Sequence, residues 1–572
     1  MTKSWPVFLV TMHMTAVLVL GTGGMGPPER SREKPIPLGG HRQLFVDDFL
    51  IDESTGVDLR LNQPRKYADN PVLARVPKGE AAWEAGMPVA FSSVLFDPDD
   101  GLFKLWYSLH AGSGGDEHAV LCFARSADGI RWDKPRLGKF KYRGTTENNI
   151  VVPHGGLASG VFLDHQEADP SRRFKMLHMR EDYKIYASHS ADGLDWIPYN
   201  DGKAVFFEPP GHDSQMIAYW DEALGLYVGI IRDRTGRISQ VRPRLVSDPE
   251  ARAGWRRHWD PRRNRAPENH SIRRVGQITS RDFVHWNDYR VIVGPDAEDP
   301  LNRDQFYNME VMTYEGLRIG LVTVFSYDPD YCRGAVQLTS TRDGRTWDRA
   351  GNRDVFLPLS NRPGDFDWGA IYALQGPFVH DDEVRIYYHG AGYDHNETLP
   401  PGVDGFPNGI GLATLRLDGF VSVRAGKPGG SLTTRSFTFT GDELVVNADA
   451  GNGRLLVEVL DHGGNPVHGY TREDCDPLRQ DALRQRVSWN GRSAVSSLAG
   501  EPIRLRFHLQ EASLYSFEFL VADATGGSAG GATDPVARDA SGSPDVGKPE
   551  HGPGLVGFTR SQDRGGKLGP VG

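Results

Sequence analysis

The chain has 572 residues, a length that exceeds what one hydrophobic core usually organises and therefore predicts at least two domains. Its charged fraction of 24% and hydrophobic fraction of 38% are typical of globular proteins, which excludes a wholly disordered chain. The formal net charge of −10 argues against a general affinity for nucleic acid.

The N-terminus has the pattern of a secretory signal peptide. Lys3 precedes an apolar stretch from Trp5 to Leu20, and small residues follow from Gly21 onwards. Polar residues within the stretch make it a poor permanent anchor, so we expect no membrane span once residues 1–26 are removed. The sequence therefore predicts a secreted or periplasmic protein.

A short motif with a serine or threonine, an Asp-Gly turn and a tryptophan recurs along the chain. The copies are Ser126–Trp132, Ser190–Trp196, Ser280–Trp286 (with Phe283 in place of glycine), Thr341–Trp347 and a degenerate Leu417–Phe420. Asp-Gly favours the positive backbone dihedrals of a tight hairpin turn, and the tryptophan can cover the apolar side of that hairpin. Each copy therefore predicts a hairpin.

Each motif is preceded by an apolar strand, an acidic turn and a strand rich in aromatics, most clearly in Val94–Tyr107. One such unit plus one motif forms a four-stranded antiparallel blade. We therefore expect an all-β protein with a five-bladed β-propeller in residues 40–425, which the strand around Gln43–Ile51 completes or clasps. A β-sandwich with coincidental hairpins is the alternative.

The C-terminal part differs in composition. Alternating stretches such as Leu455–Leu460 predict a small β-sandwich in residues 431–522. Residues 523–572 are rich in glycine, serine, proline and aspartate and have little apolar content, which is typical of a disordered tail.

Three cysteines lie far apart in the sequence, which fits neither a disulfide framework nor a zinc site. We expect all three to be buried structural residues. His389 and His395, with Asp394 nearby, are too sparse a set to predict a metal, and no cofactor is expected.

The innermost strands of a propeller converge on an axial funnel, where residues distant in sequence meet. Glycoside hydrolysis needs two carboxyl groups across the scissile bond, and converging strands can supply them. The densest polar and aromatic group is Asp304–Glu310, and Asp213 lies in a second polar cluster before an apolar strand. Alternatively, these carboxylates lie in turns or on the surface and have no catalytic role. The further candidates for substrate binding are Glu84, Asp304, Tyr307, Asn308, Asp367, Trp368 and His389.

An insertion between Arg242 and Arg274 is strongly basic. It could steer a sulfated or uronic polysaccharide towards the funnel, and the alternative is a solvated loop of mixed charge.

The stretches Leu44–Asp48, Asn70–Leu73 and Trp83-Glu84, together with the repeated strand pattern, resemble the five-bladed β-propeller glycosidases of families 32 and 43, the sucrase, levanase and arabinanase-like enzymes. This resemblance implies three acidic residues, with Asp48 as the base or nucleophile, Asp213 as the orienting residue and Glu310 as the acid. The motifs are also similar to the Asp-box of sialidases, which implies Tyr307 as a candidate nucleophile.

The sequence thus predicts an exported glycoside hydrolase that cleaves an oligo- or polysaccharide, neutral or anionic, with a carboxylate pair in the funnel. The alternatives are a non-catalytic glycan-binding propeller and a sialidase-like enzyme.

Overall fold

The computed structural model describes residues 34–521, except for 111–118, 156, 181, 208–215, 242–247, 251–270, 301, 304 and 328–329. The chain divides into two compact units, Met1–Asp523 and Ala524–Gly572, and all described residues belong to the first. The predicted signal peptide and tail lie outside the described residues. The predicted all-β class is confirmed, since helix is limited to α1 (Ile238–Val241) and short 3-10 turns at Pro170–Arg172, Asn200–Gly202, Gly351–Arg353 and Ser496–Leu498 among the elements with described bounds.

The N-terminal segment contributes six short strands: β1 (Ile36–Pro37), β2 (Gln43–Leu44), β3 (Ile51–Thr55), β4 (Asp58–Leu61), β5 (Arg65–Lys66) and β6 (Leu73–Ala74). Three four-stranded sheets follow, each antiparallel with its strands in chain order. Unit one is β7 (Val89–Asp97), β8 (Leu102–Leu109), β9 (Val120–Ser126) and β10 (Ile150–Val152). Unit two is β11 (Leu157–Leu163), β12 (Phe174–Met179), β13 (Ile185–Ser190) and β14 (Ile197–Pro198). Unit three is β15 (Ile217–Asp221), β16 (Leu226–Asp233), β17 (Arg274–Ser280) and β18 (Trp286–Val293).

Two further units share one larger sheet, because a single parallel pair, Gly334 with Ala370, connects them. Unit four is β19 (Gln305–Tyr314), β20 (Leu317–Tyr327) and β21 (Cys332–Thr341), with β22 (Asp348–Arg349) and β23 (Val355–Leu357) at its outer edge. Unit five is β24 (Ala370–Ala373), β25 (Phe378–His380), β26 (Glu383–Ala391) and β27 (Asn408–Arg416), and β5 and β6 pair with β27.

The repeated motif forms the same turn in its first four copies. In unit one, Ser126 Oγ donates to Asp128 Oδ1 at 2.9 Å and accepts from Gly129 N at 2.9 Å. Asp128 Oδ1 also accepts from Ile130 N at 2.8 Å. The position after the aspartate has a positive φ in all four copies, including Phe283 at 65°. The predicted hairpin turns are confirmed in these four copies. The fifth copy, Leu417–Phe420, does not form a hairpin, because the strand after it, Val421–Ala425, belongs to another sheet than the strand before it.

Each of these turns lies against the preceding unit. Gly129 O of unit one accepts from Tyr387 Oη of unit five at 2.8 Å, and Gly193 O of unit two accepts from Trp106 Nε1 of unit one at 2.7 Å. The other turns follow the same rule: Phe283 packs on Phe162 of unit two, Gly344 lies beside Leu224 of unit three, and Asp418 bonds to Tyr314 of unit four. The five units therefore contact one another in a closed cycle.

Buried aspartates in the first hairpin of units one to three also bridge neighbouring units. Asp97 pairs with Lys104 in its own unit and with Arg173 of unit two. Asp221 of unit three accepts from Arg318 Nε of unit four at 2.7 Å, and both side chains are buried. Such pairs fix the register of one sheet against the next.

The C-terminal part contributes eight strands: β28 (Val421–Ala425), β29 (Gly430–Thr434), β30 (Phe437–Thr438), β31 (Glu443–Asp449), β32 (Arg454–Asp461), β33 (Asp481–Arg486), β34 (Ile503–Gln510) and β35 (Ala512–Leu520). Together with β1 to β4 they form two six-stranded sheets. One has the order β1-β30-β34-β29-β3 with β32 on β34, and the other β33-β31-β35-β28-β4 with β2 on β35. Both sheets supply one hydrophobic core, whose members include Phe437, Leu455, Val446, Phe507 and Phe517.

The segment Gln43–Ile51 does not complete the cycle of units, which corrects the prediction. Its strands β2 and β3 pair with β35 and β29, while β5 and β6 pair with β27 at the outer edge of unit five. The reason lies in the alternation of side chains. Phe45 enters the C-terminal core, whereas Leu44 and Val46 enter the core of units four and five. All three cysteines are free and buried, as predicted.

Candidate functional site

The first strands of the five units lie next to one another at the centre of the cycle. β11 contacts both β7 and β15, and β19 contacts both β15 and β24. The cycle closes at Gln375, just after β24, because Val94 N of β7 donates to its backbone oxygen at 3.0 Å. These five strands bring distant parts of the sequence to one place.

Gln375 reaches from unit five to units two and three. Its Nε2 donates to Ala218 O of β15 at 2.8 Å. A Cβ atom on Gly160 of β11 would lie 2.4 Å from Gln375 Oε1, so the glycine makes room for the amide. Oε1 is buried and has no hydrogen-bond partner among the described residues. A polar side chain therefore crosses the central region with unused hydrogen-bonding capacity.

Glu310 lies on β19, the central strand of unit four, after an irregularity in register between Phe306 and Met309. Its side chain is completely buried, and its Oε1 accepts from Asn308 Nδ2 at 3.1 Å. Glu310 Oε2 and Asn308 Oδ1 have no partner within the described part of the chain. Burial raises the pKa of Glu310 well above its usual range and so favours the protonated carboxyl. A neutral carboxylic acid can donate a proton.

Tyr307 marks the end of the site where the first strands begin. Its ring centroid lies 5.6 Å from the guanidinium carbon of Arg232 and 5.6 Å from that of Arg273. Burial lowers the pKa of Arg232 to about 9, and the neighbouring positive charge of Arg273 also lowers it. Tyr372 of β24 packs 5.2 Å from Tyr307, and Arg273 Nη2 lies 3.4 Å from His395 Nε2. This cluster gives the site a positively charged and aromatic wall.

His389 is a buried neutral histidine. Burial lowers its pKa to about 4, and Nε2 accepts from Asn408 Nδ2 at 2.6 Å. The ring stacks on Tyr372 with centroids 5.4 Å apart. The described residues contain no group of three side chains that could hold a metal ion.

Two other predicted site residues have charged partners elsewhere. Glu84 accepts from Lys134 Nζ at 2.7 Å. Asp367 accepts from Lys66 Nζ at 2.5 Å and from Tyr388 Oη at 3.0 Å. These contacts account for both carboxylates as structural groups.

Trp368 is buried and packs edge-on against Tyr331 at 4.9 Å. Asp48 is exposed in a bend, next to Asp47, which pairs with Arg342 of the outer turn in unit four. The structure therefore brings Tyr307, Asn308, Glu310 and His389 into one region and does not bring Asp48 to it. Asp213 and Asp304 lie outside the described residues.

Sequence reasoning missed Gln375, Arg232 and Asn408, and it named Arg273 only as part of the basic insertion. A signal existed for two of them. Arg232 follows the apolar run Leu226–Ile231, and Gln375 follows the apolar run Ala370–Leu374, so each is a polar residue at the end of a buried strand. Their meeting depends on the pairing of units and not on local pattern.

No protein-family profile matches the chain. Two curated relatives from Mycobacterium tuberculosis, the uncharacterized proteins Rv1502 (strain H37Rv) and MT1551 (strain CDC 1551), are each 28% identical over 135 residues. The match covers 23% of this chain and 42% of either relative, so the chain spans less than half the length of the curated relatives it matches.

Among solved structures, a protein titled glycoside hydrolase has 13% identity and a TM-score of 0.40, covering 62% of this chain and 92% of its own. A β-1,2-mannobiose phosphorylase from Listeria innocua has 10% identity and a TM-score of 0.39, covering 62% of this chain and 96% of its own. Likenesses at this level do not fix what this chain does.

Proposed function

We propose that the protein is an exported glycoside hydrolase that cleaves an oligo- or polysaccharide in the central region of a five-bladed β-propeller. In this proposal the five units are the blades and the two C-terminal sheets form a β-sandwich. The closed cycle of turn contacts supports the propeller, because each turn lies against the preceding unit and that of unit one lies against unit five. The shared core of the two C-terminal sheets supports the sandwich.

The observation that carries the enzymatic proposal is the buried pair of Glu310 and Asn308 on a central strand, where Glu310 Oε2 and Asn308 Oδ1 have no hydrogen-bond partner among the described residues. A glycosidase needs one carboxyl group that holds its proton near neutral pH, so that it can protonate the leaving oxygen. Burial, and not a neighbouring carboxylate, is the largest cause of the raised pKa of Glu310. Glu310 is therefore our candidate for the general acid.

The second carboxylate in this proposal is Asp213, which rests on the sequence alone. Asp48 is not part of the proposed pair, because its surroundings are those of an outer turn. A separation of about 5 Å between the two carboxyl groups would predict retention of configuration, and about 6.5–9.5 Å would predict inversion.

Arg232 and Arg273 on either side of Tyr307 favour a substrate with an anionic group, which the same two side chains would attract. This arrangement is also the observation that favours a sialidase-like alternative, in which Tyr307 would be the nucleophile. A Tyr307→Phe variant separates the two, because it removes the nucleophile of the alternative and leaves Glu310 unchanged.

Asp48, one of the three predicted acids, lies exposed in an outer bend, which favours a third possibility, a propeller that binds glycans without cleaving them. The mature protein should be screened against neutral, sulfated and uronic polysaccharides with detection of new reducing ends. We expect the rate at which new reducing ends appear to fall at least about 100-fold in Glu310→Gln. The control is Glu458→Gln, since Glu458 is a buried carboxylate of the C-terminal sheets. If the wild type and Glu310→Gln both bind a polysaccharide and neither produces new reducing ends, the glycan-binding alternative is established.

Export is proposed from residues 1–26, and the destination is secreted or periplasmic. None of the described helices is both long and apolar enough to span a bilayer. N-terminal sequencing of the processed protein tests the export proposal, and a mature chain that still begins at Met1 would refute it.

A further inference from the structure

Phe406 is an exposed aromatic residue in an unusual backbone conformation. Its side chain is 38% exposed and its φ is 52°, in the left-handed region that disfavours residues with a bulky side chain. One exposed phenylalanine is ordinary on a protein surface. The left-handed backbone limits the directions in which the ring can point, because the fold holds the residue in that conformation.

Arg75 holds the loop that carries Phe406. Its Nη1 donates to Gly405 O at 3.1 Å and to Phe406 O at 3.0 Å, and its Nη2 donates to Gly86 O at 2.6 Å. The phenylalanine ring rests on Tyr393, with centroids 5.3 Å apart and planes at 73°. The ring is therefore fixed in position before any ligand arrives.

From Tyr393, a continuous set of contacts leads inwards. Asn408 Nδ2 lies 3.5 Å from Tyr393 Oη and donates to His389 Nε2. His389 stacks on Tyr372, which packs against Tyr307. We name Phe406, Tyr393, His389, Tyr372 and Tyr307 the aromatic ridge.

The ridge ends where the central strands begin. Asn408 also exchanges two hydrogen bonds with the backbone of Val89, the first residue of β7, at 2.8 and 3.0 Å. Tyr307 and Tyr372 lie near the start of β19 and β24. One end of the ridge is thus exposed to solvent, and the other lies in the candidate site.

We propose that Phe406 and Tyr393 form an outer sugar-binding subsite, on which a pyranose ring of a glycan stacks while another part of the same glycan occupies the site at Tyr307. The apolar CH face of a sugar ring packs on an aromatic ring, and its hydroxyl groups need polar partners at the edge. Arg75 and Glu397, whose charges act on Tyr393, supply charged groups beside the ridge. The inference rests on the proposed function and deepens it, because it makes the site selective for chain length.

The test measures binding and not turnover, so that it is separate from the role of Glu310 as an acid. The probes are fluorescently labelled manno-, gluco-, xylo- and galacturono-oligosaccharides of two and five units, with Glu310→Gln as the background. In the background protein we expect a pentasaccharide to bind more tightly than the disaccharide of the same sugar. Added Phe406→Gly should weaken pentasaccharide binding about three- to tenfold and leave disaccharide binding unchanged.

Glycine is the informative replacement, because it accepts the left-handed backbone at no cost and removes only the ring. Phe406→Tyr keeps the ring and should keep the affinity. The matched control is Tyr183→Gly, which also has a positive φ (59°) and is 54% exposed, but lies between β12 and β13 of unit two. We expect it to change neither affinity.

Equal effects of Phe406→Gly on both chain lengths, or none on either, would overturn the outer subsite and leave the proposed function standing. Equal affinity of di- and pentasaccharides in the background protein would do the same. Failure of every probe to bind would overturn the subsite. The proposed function fails separately, when no polysaccharide in the turnover screen is cleaved.

Discussion

Glu310→Gln should stabilise the folded protein by an amount that grows as the pH rises. Burial raises the pKa of Glu310 in the folded state, so the native protein keeps this proton, while the unfolded chain releases it above the ordinary value of 4.5. A group with a raised native pKa favours folding fully below its unfolded pKa, and that contribution is lost as the pH rises towards the native value. The contribution of Glu310 therefore lowers the wild type's free energy of unfolding by about 1.4 kcal/mol per pH unit above 4.5, until the native pKa is reached.

Glutamine has nearly the same shape, can still accept from Asn308 and does not titrate, so the variant escapes this loss. Near pH 4 the free energies of unfolding of the two proteins should differ by about 1 kcal/mol or less, since only the local hydrogen bonds change. The assay is urea unfolding followed by tryptophan fluorescence, from about pH 4.5 to 7.5. A stability difference that does not change with pH, or a variant less stable than wild type at the upper end, would refute the assignment of a protonated Glu310.

The control for this experiment is Glu458→Gln. Glu458 Oε2 lies 3.3 Å from Arg506 Nη1, so its replacement removes one partner of an ion pair in the C-terminal sheets. We expect this variant to be less stable than wild type near neutral pH, where both partners are charged. A stabilising Glu310→Gln and a destabilising Glu458→Gln would show that the surroundings of each buried glutamate, and not burial alone, decide how its replacement changes stability.

Four further substitutions test the cycle of units and the histidine. Gly193→Ala should destabilise by about 2–4 kcal/mol, because its Cβ would lie 2.3 Å from an indole carbon of unit one. Gly101→Ala, with a similar φ and open space around it, should cost only about 1–2 kcal/mol. Arg318→Met should cost about 3–5 kcal/mol by leaving Asp221 buried without its partner, and an added Asp221→Asn should restore part of this loss. His389 has a pKa lowered to about 4, so its contribution to stability falls as the pH drops from 6.5 towards 4, and the stability of the wild type relative to His389→Gln should fall over that range. Urea unfolding measures all four, and a Gly193→Ala protein as stable as Gly101→Ala would contradict the close packing of the turns.

The turn motifs were predictable from sequence because their hydrogen bonds are local. Ser126 and Asp128 are two residues apart, and their side chains bond to each other and to the next few backbone amides. The same holds for the other three copies with a serine or threonine.

Pairing between distant segments was not predictable in this way. Glu84 and Asp367 looked like candidate site carboxylates until the fold supplied Lys134 and Lys66 as partners. Gln375 gained its place because Gly160, in another unit, leaves room for its amide. These contacts depend on how complete sheets meet, which alternation along one strand does not encode.

The N-terminal strands have a consequence for how the protein is made. Gln43 pairs with Phe517, so one of the first structured residues to leave the ribosome finds its partner only when synthesis is almost complete. Strands β5 and β6 likewise wait for β27. Contacts so distant in sequence carry a large closure entropy and slow folding. Strands β1 to β6 therefore stay unpaired until their partners among β27 to β35 have been made. Chains that end prematurely cannot complete the C-terminal sheets and become natural clients of chaperones and proteases.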